Sequence, residues 1–217
     1  MKPVPIILSS PSGGGKTTIA RRLLEVRDDV GYSVSATTRP PRAGEVEGRD
    51  YYFRSRADFE RGRRDGEFAE SAEVHGHLYG TLRSEVERVL RSGRHVVMDI
   101  DVQGTRQFRD VFPESVLIFI LPPSAQVLIE RLEARKTEDT KSLIRRLGSA
   151  KEELKAIDLY PYLVVNDDVE SAVDAVSKII NGKGVKRSRG GGAPHDRRVT
   201  ELVEGIDRAI DHYSKRQ

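Results

Sequence analysis

The sequence predicts an α/β fold: a parallel sheet core flanked by helices, with a small inserted mixed β lobe, a lid segment and a C-terminal helix. Three observations predict it. Short apolar runs at Val4 to Leu8, His95 to Ile100, Val116 to Leu121 and Tyr162 to Val165 read as buried strands, and they alternate with helical patterns at both ends of the chain. A glycine-rich stretch, Ser10-Pro11-Ser12-Gly13-Gly14-Gly15-Lys16-Thr17, joins the first strand to the first helix. Between residues 35 and 81 the alternation is broken by short β-prone runs and turns, which marks an insertion and not a separate domain.

Taken in order, Thr18 to Arg27 carries Ile19, Leu23 and Leu24 on one side and Arg21, Arg22 and Glu25 on the other, so it reads as a helix. Tyr32 to Ser35 reads as a strand, followed by a loop in which Pro40 and Pro41 stiffen the spacing of Arg39 and Arg42. Tyr51 to Phe53 is β-prone, and Arg56 to Asp65 is a helix stopped by Gly66. Glu67 to Val74 and Leu78 to Thr81 form a hairpin around His75-Gly76-His77. His75 and His77 are read as surface residues, because no further ligands stand at metal-binding spacing.

Helices follow at Arg83 to Arg91, Val102 to Asp110, and Ala125 to Arg135, the last capped by Ser124. Residues 136–141 are polar and are expected to be a mobile lid. Leu143 to Ile157 and Val169 to Ile180 are the remaining helices of a main domain spanning 1–182 (core 1–34 and 82–182, lobe 35–81). From 183 to 198 the chain is basic and holds Gly190 to Gly192, the composition of a flexible linker. Val199, Leu202, Val203, Ile206, Ile210 and Tyr213 then repeat at helical spacing, giving an amphipathic helix over 199–217. Its continuous apolar stripe suggests a homo-oligomer built through it; the alternative is that it packs back on its own core.

Composition narrows the function. The chain has 217 residues, room for one sizeable core and an insertion, and no cysteine, which excludes a disulfide framework, a thiol nucleophile and Cys-type zinc. Its start has no apolar segment of signal length, and Val116 to Leu121 is too short for a membrane span, so a cytoplasmic setting is expected. A net charge of +3 is too slight to argue for nucleic acid; phosphorylated small molecules account for the arginines equally well.

Strand, glycine loop, Lys-Thr and helix are the parts of a phosphate-binding loop. The glycines let successive N–H groups point inward as an anion nest, and the helix N-terminus adds its positive dipole end. Lys16 would reach the terminal phosphates of a nucleoside triphosphate, and the Thr17 hydroxyl would hold Mg²⁺. One position departs from the usual pattern: Ser10 stands where glycine is customary, so the backbone there must avoid positive φ or be strained. A second phosphate site is expected at Arg39 and Arg42, with Tyr51 and Tyr79 as neutral hydroxyl donors. Two phosphate sites suggest phosphoryl transfer between two nucleotides.

The run Ser35-Ala36-Thr37-Thr38-Arg39-Pro40-Pro41-Arg42-Ala43-Gly44-Glu45, with Gly48-Arg49-Asp50-Tyr51, resembles the signature of guanylate kinases. Further matches stand at Glu67-Phe68 with Glu70, Tyr79-Gly80-Thr81, Asp99-Ile100-Asp101-Val102-Gln103-Gly104, Pro122-Pro123-Ser124, Arg131 to Arg135, and Val165 to Asp168. The resemblance covers residues 4 to 182 and implies a P-loop kinase that phosphorylates GMP, and dGMP, from ATP with Mg²⁺. It implies that Arg39, Arg42, Tyr51 and Tyr79 hold the GMP phosphate. Glu70, Ser35, Thr81 and Asp101 would contact guanine, and Asp99 would orient Mg²⁺ or its waters. Arg131, Arg135 and Arg146 would be lid arginines, and Asn166 would lie near the adenine or ribose of ATP. Family members usually have glycine after the second lid arginine, where this chain has Lys136. Two rivals remain open: a non-catalytic guanylate-kinase-like module that binds phosphorylated peptides, and a related kinase with another phosphorylated acceptor.

Overall fold

The computed structural model describes residues 2–74, 76–134, 140–187 and 194–215. The chain forms two compact units, one from Met1–Ile7 with Leu24–Val116 and one from Leu8–Leu23 with Leu117–Gln217. A five-stranded sheet has the order β2-β7-β1-β8-β9. Its members are β1 (Pro5–Ser9), β2 (Val30–Tyr32), β7 (His95–Asp99), β8 (Val116–Leu121) and β9 (Tyr162–Val165). β2 pairs with β7, and β8 with β9, both parallel. Three of the apolar runs that read as buried strands are buried: all five residues of β1, His95 to Met98 of β7, and Leu117 to Leu121 of β8. The fourth, β9, is only half-buried apart from Val164.

A second, mixed sheet lies within the first unit, in the order β4-β3-β6-β5. It comprises β3 (Ser35–Thr37), β4 (Tyr52–Phe53), β5 (Phe68–Val74) and β6 (His77–Leu82). Ala36, Phe68, Leu78 and Leu82 form its apolar face, closed by Phe59 from α2 (Arg56–Arg64). The stretch expected as one strand, Tyr32 to Ser35, is instead the passage between sheets. β2 ends at Tyr32, Ser33 and Val34 cross over, and β3 begins at Ser35 in the lobe. In the same unit α3 (Arg83–Arg91) packs on β6 and β7, and α4 (Val102–Val111) packs on β5. The Gln107 side-chain amide of α4 pairs with both backbone groups of Ser71 on β5, accepting from its N–H at 3.1 Å and donating to its carbonyl at 3.3 Å.

In the second unit α1 (Lys16–Val26) starts two residues earlier than the apolar pattern implied, because Lys16 and Thr17 already belong to its first turn. α5 (Ala125–Glu133) is capped by Ser124 as expected, its hydroxyl accepting from the Val127 N–H at 3.2 Å. Asp168 caps α7 (Val169–Ile180) in the same way. α6 (Thr140–Lys155) takes in Thr140 and Lys141 from the expected lid; the rest of that lid, 136–139, and Arg135 lie outside the described residues, as does His75.

The C-terminal helix α8 (Pro194–Ser214) begins five residues before Val199, inside the stretch expected as linker. That stretch is also anchored earlier, since the Arg187 N–H donates to the Pro161 carbonyl at 2.7 Å and its guanidinium pairs with Asp158. α8 packs on α5 and α6 of its own chain. Leu202 and Ile206 are 1% and 0% exposed. Burying two such side chains stabilises by about 1.5–3 kcal/mol each, which outweighs the part-exposed Lys151–Asp207 pair, worth about 0–1 kcal/mol. The centre of the stripe that suggested self-association is therefore covered within the chain. Among the described residues no helix is long and apolar enough to cross a membrane.

Candidate active site

The lobe's polar groups come together through strand register. Ser35 lies opposite Thr81 across β3 and β6, and Thr37 lies opposite Tyr79. Phe68 of β5 faces Leu82, so simple alternation would pair residue 70 with Gly80 and turn its side chain into the apolar cluster. A register shift between Phe68 and Glu70 inserts one residue and prevents this. Glu70 lands opposite Thr81 on the other face, and the Thr81 hydroxyl donates to its Oε1 at 2.7 Å.

Burial pushes the Glu70 carboxyl up to about 7; the Thr81 hydroxyl works against this and the Asp101 charge adds to it. Asp101 was expected among base contacts, and its charge reaches Glu70. Its Oδ1, however, caps α4 by accepting from the Gly104 N–H at 2.7 Å.

Beside this row stands a cationic cradle. The Arg39 guanidinium lies over the Tyr51 ring at 5.4 Å, and Tyr51 meets Tyr79 edge-on at 6.1 Å. Burial, then Tyr79, raises the Tyr51 hydroxyl above its ordinary value, so it is a neutral donor at pH 7. Arg39 donates to Glu45 Oε1 at 2.7 Å and to the Pro40 carbonyl at 2.8 Å. Arg42 joins through its backbone N–H, which donates to Glu45 Oε2 at 2.7 Å, while its side chain is exposed. The Arg39 bond, then the Arg42 N–H, hold the Glu45 carboxyl below its usual range. Glu45 was part of the signature but carried no assigned role; only the fold reveals that it occupies Arg39. Asp99 ends β7 in this unit, and its charge acts on Tyr51.

The phosphate loop belongs to the second unit, and its form depends on what surrounds it. Gly15 has φ +94°, and a Cβ there would lie 2.2 Å from Asn166 Nδ2. Gly14 has no room either: a Cβ would meet Ser10 Cβ at 2.7 Å. Ser10, 3% exposed, thus fits where glycine is customary because Gly14 leaves it the space, and its hydroxyl donates to the Pro11 carbonyl at 2.9 Å. That carbonyl also accepts from the Gly14 N–H at 2.8 Å, closing the turn.

Four further side chains, Asn166, Arg131, Arg146 and Glu153, approach the loop from far along the sequence. Asn166, 2% exposed, continues the β9 ladder by donating its N–H to the Leu121 carbonyl at 2.8 Å. Its Nδ2 donates to the Gly14 carbonyl at 2.9 Å, so it also supports the loop backbone. Arg131 Nη2 donates to the Asn166 carbonyl at 3.4 Å. Its Nη1 is buried without a partner among the described residues, 3.8 Å from where a Gly15 Cβ would stand. A buried guanidinium nitrogen beside a glycine-rich loop is chemically suited to donate to an anion.

Arg146 of α6 donates from Nη2 to the Ser12 hydroxyl at 3.2 Å, and Glu153 Oε2 accepts from the Ser12 N–H at 3.0 Å. Glu153 was missed because no local motif contains it. The available signal was its spacing of seven residues from Arg146, which puts the two on one helix face. Among the described residues no group of three or more His, Cys, Asp and Glu could hold a metal ion.

Comparison with known proteins identifies the family. The guanylate kinase family model matches residues 2–183. Guanylate kinase of a Nostoc species is 49% identical over 177 residues, covering 82% of this chain and 89% of the relative. That of Caldanaerobacter subterraneus is 46% identical over 175 residues, covering 81% and 85%. The crystal structure of guanylate kinase from Anaplasma phagocytophilum superposes with a TM-score of 0.66 at 37% identity, covering 93% of this chain and 94% of that one. A phosphate loop carrying Lys16, a lobe presenting Glu70 beside Thr81, and relatives matched along most of their length lead to one placement: this chain belongs to the guanylate kinase family.

Proposed function

We propose that this chain transfers the terminal phosphoryl group of ATP to GMP, giving ADP and GDP. The observation that carries the choice of acceptor is Glu70, turned out of the apolar cluster onto the Ser35–Thr81 row. Guanine presents a ring N–H and an exocyclic amine to a carboxylate, whereas adenine presents a ring acceptor, which would leave a buried lone pair facing a charge. Ser35 and Thr81 supply hydroxyls for the guanine carbonyl and ring edge, with Asp101 nearby. Arg39, Arg42, Tyr51 and Tyr79 take the GMP phosphate, which displaces Glu45 from Arg39.

On the ATP side Ser10 to Thr17 cradle the phosphates, Lys16 neutralises them, and Arg131, Arg135 and Arg146 neutralise charge developing on the transferred group. Asn166 acts through the Gly14 carbonyl. The hydroxyl of Thr17 and the carboxylate of Asp99 are hard oxygen donors that suit Mg²⁺, which when bound would offset phosphate charge. No covalent intermediate is needed, because alignment and electrostatics account for the transfer. The setting is the cytoplasm. Any association of two chains through α8 would use its outer face, since Leu202 and Ile206 are taken up by the chain itself.

The test is ADP release measured across GMP, dGMP, AMP and sugar phosphates. GMP should be used best, with dGMP also accepted. Turnover of a sugar phosphate in preference to GMP would favour the related-kinase rival, and tight ATP binding measured by calorimetry would argue against the phosphopeptide module. Lys16→Met should abolish turnover while leaving the thermal midpoint unchanged; normal activity in that variant would refute the assignment.

A further inference from the structure

We propose that Glu153 is a positioning residue for the phosphate loop, acting through the backbone of Ser12. Its carboxylate accepts from the Ser12 N–H at 3.0 Å, while Arg146, two turns earlier on α6, donates to the Ser12 hydroxyl at 3.2 Å. One helix thus holds residue 12 by main chain and side chain together. Ser12 directly precedes the three glycines, the most pliable part of the loop. Committing its N–H to Glu153 turns that amide out of the nest and fixes the direction in which the glycines leave.

A carboxylate so close to a triphosphate site has an evident cost, because it repels the ligand. Repulsion and positioning act on ATP with opposite signs, which makes them separable. Removing the side chain abolishes both, and removing only the charge keeps the hydrogen-bond acceptor.

The inference rests on ATP being the occupant of this loop. The experiment is steady-state kinetics of the full chain and of Glu153→Ala, Glu153→Gln and Glu153→Asp, with both substrates varied and thermal midpoints recorded. Losing a hydrogen bond to a charged group corresponds to about a tenfold rise in the KM for ATP in Glu153→Ala. kcat and the KM for GMP should stay within about twofold, the change expected of a group outside the reacting atoms. Glu153→Gln should return the KM for ATP to the native value or below it. Glu153→Asp, which keeps the charge but withdraws it by one methylene, should resemble Glu153→Ala and serves if the alanine variant does not fold. An unchanged KM for ATP in Ala and Asp, equal losses in Ala and Gln, or a parallel rise for both nucleotides overturns the inference. An unmodified chain inactive toward ATP and GMP would instead overturn the functional reading beneath it.

Discussion

Glu70 sits where one extra residue in β5 puts it, and its pKa follows from that placement. The folded protein holds this carboxyl at about 7, above the 4.5 of an exposed glutamate. A raised carboxyl favours the protonated folded form, so its contribution to stability is full below about pH 4.5 and is lost as pH climbs to about 7. Glu70→Gln should flatten the fall in thermal midpoint across that window. In the proposed reading guanine pairs with the ionised carboxylate, so GMP binding should release a fraction of a proton near pH 7. Its affinity should weaken up to about tenfold per pH unit below that point. Calorimetry in buffers of different ionisation enthalpy reads the proton directly, and an absence of release at pH 7 would remove Glu70 from the base contacts. Sequence reading named Glu70 but not this environment. A bulge adds a residue without disturbing the local apolar pattern, and its effect appears only when strand partners are paired. Glu45 and Glu153 were equally hidden, the latter because it reaches Ser12 across 141 positions.

At the scale of elements, the alternation of apolar runs and amphipathic stretches was legible because burial imposes a period on sequence directly. Helix ends were less so: α6 and α8 begin earlier than their apolar residues announce, since polar first turns carry no periodic signal. The stripe on α8 said that a face would be covered but not by what. The answer lies at Gly205, where a Cβ would come 2.4 Å from Ala125 Cβ on α5, so the crossing depends on a missing side chain. Gly205→Ala sets two effects against each other. Better helix propensity contributes up to about 1 kcal/mol, while overpacking a close crossing costs about 1–3 kcal/mol. The second should win, lowering the thermal midpoint by roughly 2–4 °C for each kcal/mol lost. A rise in midpoint would mean that α8 does not rest on α5 at this point.

For the molecule as a whole, groups assigned to each nucleotide fall in different compact units: Ser35 to Asp101 in the first, Ser10 to Thr17 with Arg131, Arg146 and Asn166 in the second. Ligands added singly should therefore act separately. In hydrogen exchange, GMP alone should slow amides in residues 35–81 and around Asp101, and ATP alone those in residues 10–17 and α6. Equal protection of both sets by either nucleotide would contradict that division.

The pairing of Gln107 with Ser71 bears on the life of the chain outside catalysis. β5 is an outer strand of its sheet, and a bare strand border is a template on which another copy can add. With both main-chain groups of Ser71 already occupied by a side-chain amide, a recruiting strand would find no partner at that step. Edge-to-edge pairing of two copies is thereby interrupted at the middle residue of β5.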